Sequence, residues 1–352
     1  MKKTFKSTVN NIRRSLMRSF TGSIGKNKSY EGRAPINQLQ VKRILVVRPN
    51  NRLGNLLLTT PLVQEIETTF PDCRVDLFVR GFLAPVIFKN YTCVDSIIQL
   101  PKKPFKQLAQ YIAGWAKVKR KRYDIVINVV NNSSSGRLSV QFARSKYKFF
   151  GDCINSCEQS ENDNEVHIAK YPVYNFRKFI TLLGITPSTA PVALLNLKLS
   201  AAELAKGKAM LTELVPGNRK TICIFTYATG SKCYPPAWWE PFYEELKNQF
   251  ADYNIIEVLP AENVSQIAFK APSFYSKDVR EIGALIANTS LFIGADSGIM
   301  HLASAVHVPV AGLFVNDNIS RYKPYGNGSI AIDTKATPIK ECVEAVKPLL
   351  QQ

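Results

Sequence analysis

Acidic residues are scarce in this chain. Its 352 residues hold 27 Asp and Glu against 46 Lys and Arg, a formal charge of +19 at pH 7 and a pI near 9.6. Such a surplus points to an anionic partner: nucleic acid, phospholipid headgroups or a phosphorylated substrate. Other absences narrow the class. The basic start is not followed by the continuous apolar segment of a secretory signal. The most apolar long stretch, 291–315, is broken by Asp296, His301 and His307, so it predicts strand, helix, strand rather than a membrane span. The seven cysteines show no metal-ligand spacing; Cys153 and Cys157 form a lone CxxxC without a partner pair, and reduced cytosolic thiols are expected. No helix-turn-helix, zinc or RNP-type pattern occurs, so no nucleic-acid partner is expected despite the charge.

What is present suits a soluble globular protein with 45% hydrophobic and 21% charged residues, long enough for two domains with their own cores. Strand-like runs at 43–47, 74–79, 95–99, 124–130 and 146–150 alternate with helix-like stretches at 56–70, 82–90, 105–122 and 136–144. After a polar, acidic excursion (151–165) comes a helical segment, 166–184. A second set follows, with strands at 221–226, 254–259, 291–294, 308–314 and 330–332, and helices at 199–214, 236–249, 278–289, 297–306 and 337–350. The alternation predicts an α/β chain of parallel sheets covered on both faces. The expected organisation is a basic N-terminal arm (1–40) followed by two Rossmann-like domains (41–185 and 186–352). Two such doubly wound domains place a ligand in the cleft between the carboxyl ends of their strands.

The basic residues are uneven. Residues 1–43 carry eleven Lys and Arg against Glu31 alone, and Phe5, Val9, Ile12, Leu16 and Phe20 fall at helical spacing, a pattern shared by membrane-surface helices and solubilising tails. A second cluster, Lys117 to Arg122, ends the helix-like stretch from 105, where the helix dipole also favours positive charge.

The segment that speaks most of chemistry is "LFIGADSGIMHLASAVHVPVAGLF", 291–314. A strand ends, Asp296 and Ser297 make the turn, and a helix opens at Gly298. Free N–H groups and a partial positive charge at such a helix start suit a phosphate, and glycine permits close approach. Asp and Ser are also ordinary N-caps.

Together with "RILVVRPNNRLGNLLLTTPL" (43–62) and "TYATGSKCYPPAWWEPFYEEL" (226–246), this segment resembles glycosyltransferase family 9, the ADP-heptose:lipopolysaccharide heptosyltransferases of GT-B fold. "HIAKYPVYNFRKFITLLGI" (167–185) is similar to the family's connecting helix, and the resemblance spans roughly 42–332. It implies an inverting enzyme that moves a heptose or related sugar from a nucleotide-diphosphate donor to a lipopolysaccharide-type glycolipid. Lys232 would face the diphosphate, with Thr229, Gly230 and Ser231 in its loop. Asp296, Ser297, Gly298 and His301 would hold the donor's diphosphate and sugar side, and Gly54 and Arg52 would lie on the acceptor side. No metal or other cofactor is expected, since fixed cations and helix-end amides would stabilise the leaving diphosphate. Glu262 corresponds loosely to the family's acidic contact to the donor sugar, and a plain surface glutamate fits it as well.

Asn55 stands where the resemblance implies an aspartate base in many members. A carboxamide orients a hydroxyl but cannot take its proton. The base is then another carboxylate such as Asp76 or Asp152, or water or the leaving phosphate, or the protein binds without turnover; Asn55 could equally bond turn backbone. "LFVNDNISRYKPYGNG" (313–328) departs from the family's Gly-Pro-Thr-Asp-Pro and leaves the nucleotide open, with Arg321, Tyr322 and Tyr325 as possible contacts. The resemblance and the charge together imply an anionic glycolipid acceptor and a cytoplasmic protein, peripheral on the inner face of the cell membrane.

Overall fold

The structure, a computed structural model, describes residues 24, 41–103, 106–152, 167–315 and 318–351. The basic arm apart from Ile24, most of the 151–165 excursion, and Cys153 and Cys157 lie outside the described residues.

Two all-parallel sheets organise the chain. The first comprises β1 (Arg43–Arg48), β2 (Arg74–Arg80), β3 (Val94–Leu100), β4 (Arg122–Asn128) and β5 (Arg144–Phe149), in the order β3-β2-β1-β4-β5. The second comprises β6 (Thr221–Phe225), β7 (Asn254–Val258), β8 (Ser273–Phe274), β9 (Leu291–Ala295), β10 (Val310–Phe314) and β11 (Ile330–Asp333), in the order β11-β10-β9-β6-β7-β8. Central strands such as β1 and β9 are apolar on both faces because helices cover both sides. Outer β5 (RSKYKF) keeps its lysines toward solvent.

The helices over the first sheet are α1 (Leu53–Leu57), α2 (Thr60–Thr69), α3 (Ala84–Ile87), α4 (Leu108–Arg120), α5 (Ser134–Phe142) and α6 (Tyr171–Leu182). Those of the second part are α7 (Ala201–Leu214), α8 (Pro236–Gln249), α9 (Val279–Ile286), α10 (Gly298–Ala305), α11 (Ile319–Tyr322), α12 (Ile339–Glu344) and α13 (Lys347–Leu350). Four expectations change in detail. The 56–70 helix is two helices, with Gly54 and Asn55 inside the first rather than in a loop. The 82–90 helix shrinks to four residues, and 337–350 breaks near Ala345. The two-residue β8 and the short α11 are additional. Among the described residues no helix is long and apolar enough to cross a membrane.

One apolar cluster runs through both sheets' surroundings, joining Ile44, Leu57 and Phe149 to Phe292, Met300 and Leu302. Where the linker passes, Arg280 of α9 ties the parts together. Its guanidinium is almost fully buried, pairs with Glu203 through Nε (2.6 Å) and Nη2 (2.8 Å), and donates to the carbonyls of Val86 (3.0 Å), Leu197 (3.1 Å) and Lys198 (3.1 Å). Glu203 also closes the capping box of α7, accepting from the Ser200 backbone at 2.8 Å. Removing one member of a buried, fully hydrogen-bonded pair leaves an uncompensated charge and bare carbonyls. Arg280→Ala is therefore expected to cost about 3–5 kcal/mol in urea unfolding; a loss under about 1 kcal/mol would show that the pair does not hold the parts together.

Candidate functional site

In both sheets the strand order reverses at one point, between β1 and β4 and between β6 and β9, and doubly wound folds form their ligand crevice beyond the strands' carboxyl ends at such a point. The second sheet brings two loops to its reversal. After β6, residues 227–232 end in a short 3₁₀ turn (Gly230–Lys232). Gly230 has φ +70°, a conformation that suits glycine, and this bend turns Lys232 inward. After β9 the chain reaches Asp296 and enters α10.

These loops meet. The Lys232 ammonium forms an ion pair with the carboxylate of Asp296, which is 7% exposed. Lys232 Nζ also lies 5.5 Å from the centre of the Tyr322 ring, with the Arg321 guanidinium 5.9 Å from that ring. Ser297 caps α10, its hydroxyl accepting from the Met300 N–H at 3.2 Å. Helix geometry leaves the Gly298 and Ile299 N–H groups without intrahelical partners. Thr229, Gly230 and Ser231 are exposed along the rim. Glu262 is exposed in the loop after β7, as a plain surface glutamate would be.

The first sheet sends α1 directly against α10. A Cβ added at Gly54 would sit 2.8 Å from His301 Cδ2 and 3.4 Å from Gly298 Cα; one added at Gly298 would sit 3.3 Å from Gly54 N. Two glycines thus let the helices touch, and the His301 ring closes over Gly54. Asn55, the next residue, is half-buried, and its carboxamide makes no hydrogen bond among the described residues, so it does not serve as a turn-bonding group. Arg52 is exposed at the N-cap position of α1, and its N–H donates to Asn50 Oδ1 at 2.8 Å.

His301 is 4% exposed and its Nδ1 has no partner. Burial, with the nearby Lys232 charge, holds its pKa down at about 4. A second buried imidazole, His167, interacts with it. Burial first, then the His301 charge, lowers His167 to about 3. Its Nδ1 accepts from the Ala169 N–H at 3.2 Å, its Nε2 is unpartnered, and its ring packs edge-on to Tyr325 at 4.7 Å. The Tyr325 hydroxyl donates to the Ala193 carbonyl at 2.9 Å, so Tyr325 packs the linker rather than facing a ligand.

The two carboxylates considered as substitutes for an aspartate at position 55 are both engaged. Asp76, fully buried near the amino end of β2, pairs with Arg43 (2.9 Å) and Lys121 (2.8 Å) and accepts from Tyr123 (3.2 Å). It lies at the opposite edge of the sheet from the crevice, so the expectation that it could act there is corrected. Asp152 pairs with Arg137 at 2.9 Å.

Sequence reasoning passed over Arg48 and His167. Arg48 ends β1, is half-buried, and its Nε has no partner; burial lowers its pKa to about 10, with Tyr322 near enough to oppose the shift. A cation where a buried parallel strand ends was the available signal, since that edge faces the crevice. Among the described residues no three His, Cys, Asp or Glu side chains group to hold a metal ion.

The family model for glycosyltransferase family 9 (heptosyltransferase) matches residues 112–351. The chain belongs to glycosyltransferase family 9. This glycosyltransferase is 20% identical over 291 residues to the lipopolysaccharide heptosyltransferase 3 of Escherichia coli, covering 79% of the chain and 85% of that protein. It is 22% identical over 302 residues to the lipooligosaccharide heptosyltransferase 2 of Haemophilus influenzae, covering 77% and 82%. Among solved structures, a family 9 glycosyl transferase from Veillonella parvula superposes with a TM-score of 0.70 at 16% identity, covering 90% of this chain and 99% of that one. The ADP-bound heptosyltransferase of E. coli superposes with a TM-score of 0.63 at 15% identity, covering 88% and 99%. These likenesses establish the GT-B fold.

The imidazoles give the site a pH signature. Both folded values lie below the usual 6.5, so the unfolded chain binds protons that the folded chain refuses as pH falls from about 6.5 toward 4. Their contribution is complete above the unfolded value and is lost on acidification. Lowering the pH from about 7 to about 5 should remove on the order of 2 kcal/mol per imidazole, and His301→Gln should flatten the slope of stability against pH. An unchanged slope in that variant, followed by urea titration across the range, would deny His301 its buried neutral state.

Proposed function

We propose that this glycosyltransferase moves a heptose or closely related sugar from an ADP-linked donor to a hydroxyl of an anionic, lipopolysaccharide-type glycolipid, with inversion at the anomeric carbon. The observation that carries the reading is the meeting of Lys232, Asp296 and the amino end of α10 at the reversal point of the second sheet, opposite Gly54 and Asn55. The ADP-bound relative supports the adenine nucleotide, and the lipopolysaccharide-linked relatives support the acceptor class.

In this reading the donor's diphosphate takes over the Lys232 ammonium and the open N–H groups of Gly298 and Ile299. Asp296, released in part from Lys232, turns to the donor's sugar hydroxyls, while Thr229, Gly230 and Ser231 border the phosphates. As the glycosidic bond breaks, charge grows on the leaving ADP. A fixed ammonium and amide dipoles are worth most there because they need not reorganise. Arg48 and Arg52 stand on the acceptor side, where a phosphorylated glycolipid would meet them.

The acceptor hydroxyl attacks the anomeric carbon from the face opposite ADP, and its proton must leave. The amide oxygen of Asn55 orients that hydroxyl but has no basic lone pair to receive the proton. Asp152 is held by Arg137, and Asp296 is turned to the donor's sugar hydroxyls. The neutral imidazole of His301, with Nδ1 free and the ring against Gly54, is a base beside this helix. An incoming diphosphate raises its proton affinity, because a nearby negative charge favours the protonated form. Asn55→Asp would place a second base there and is expected to raise the transfer rate.

Thermal stabilisation by ADP-, GDP- and UDP-sugars tests the donor site. ADP-sugars should raise the melting temperature of the parent, and both Lys232→Ala and Asp296→Ala should remove that shift. Persistence of the shift in both variants means the donor binds elsewhere. Transfer should continue in excess EDTA; its loss, with rescue by added magnesium, would contradict charge neutralisation by the protein alone.

A further inference from the structure

We propose that the outer face of α4 and α5 is a docking surface for an anionic lipid bilayer. The proposal rests on the reading that the acceptor is a glycolipid, and it names the surface that would bring the cleft to it.

Helix α4 covers one face of the first sheet, but its outward side is apolar as well. Leu108 and Ile112 are each 57% exposed and stand one turn apart. Trp115 continues the stripe, half-buried, edge-on to Phe142 of α5 with ring centres 6.0 Å apart, and Phe142 is also 57% exposed. Leucine, isoleucine, phenylalanine and tryptophan thus share one solvent-facing strip with no protein covering it among the described residues. A soluble surface scatters such side chains singly; clustering them calls for an occupant.

The charge around the strip selects the occupant. Residues 96–151, which contain α4, α5 and their flanks, hold twelve Lys and Arg and one acid, Asp124. Asp124 is spent on the backbone N–H groups of Lys42 (2.8 Å) and Arg43 (2.9 Å). Lys102, Lys103 and Lys106 stand at the amino end of α4, and Lys117, Lys119 and Arg120 at its carboxyl end. A second copy of this chain, or its own basic arm, would bring like charge to the strip. An apolar stripe framed by cations matches acyl chains beneath anionic headgroups.

Two placements strengthen the match. Ile24 packs against the buried cluster beneath α4 and α5, as Tyr111 and Trp115 do, and its carbonyl accepts from Arg137. And α4 runs from the carboxyl edge of the first sheet to its amino edge, so its Leu108 end lies toward the crevice. A bilayer on this face lies beside the acceptor half.

The test uses the full chain in flotation with phosphatidylcholine vesicles, with and without phosphatidylglycerol. Binding should require phosphatidylglycerol. Ile112→Glu and Leu108→Glu, which alter exposed positions, should each lower the bound fraction roughly tenfold, and Lys119→Gln with Arg120→Gln should weaken binding most at low salt and leave it less sensitive to added salt. ADP-sugar stabilisation should remain in every one of these variants, which separates failure here from failure of the donor site. Three results would overturn the proposal. The glutamate variants float like the parent while removal of residues 1–20 abolishes binding. Or the variants split a dimer seen by light scattering. Or they lose affinity for an RNA oligonucleotide rather than for vesicles.

Discussion

Everything at the crevice depends on how closely α1 and α10 approach. Backbone meets backbone at Gly54 and Gly298, and the His301 ring fills the remaining space. That contact fixes three things at once. It sets the distance between the two sheets' carboxyl edges, buries the imidazole that then stays neutral, and holds half-buried Asn55 on a helix. A methyl group at either glycine would push against buried atoms, so the geometry does not tolerate even the smallest side chain without adjustment.

The charges are arranged to match. At the amino edge of the first sheet, Asp76 is saturated by Arg43, Lys121 and Tyr123, a closed structural knot. At the carboxyl edge, Arg48 is half-buried and has no carboxylate partner among the described residues, where Lys232 pairs with Asp296 alone. Burying a cation without full compensation is costly, and such imbalance concentrates where a ligand supplies the missing charge. The contrast between the two edges is between cations closed into ion pairs and cations left partly uncompensated.

Much of this was legible in the amino-acid order. The strand–turn–helix–strand of 291–314 announced itself because an unbroken apolar run ends abruptly in Asp-Ser-Gly, and the structure brings Lys232, Asp296 and His301 together as the family resemblance implied. The α1 helix was not legible: "NNRLGN" has the composition of a turn, and a five-residue helix is held by its contact with α10. Arg48 hid in a sequence crowded with arginines, where only the topology tells which ones end a central strand at the crevice. The stretch that became α4 was legible as helix-like, but the sequence could not tell that its apolar residues are divided between the sheet and solvent. The short helix over Ile319–Tyr322, which carries Tyr322 to Lys232, had no signal in the polar segment that contains it.

The apolar cluster that passes without interruption from β1 to α10 has a bearing on how this protein can be altered by recombination. In a modular enzyme the donor half could be exchanged for that of a relative to change nucleotide preference. Here a foreign second half would arrive with its own residues at the α10 surface and would have to fit Leu57 and Gly54 of the resident partner. Chimaeras joined in the linker should therefore succeed only when the α1 segment travels with the second half that it was shaped against.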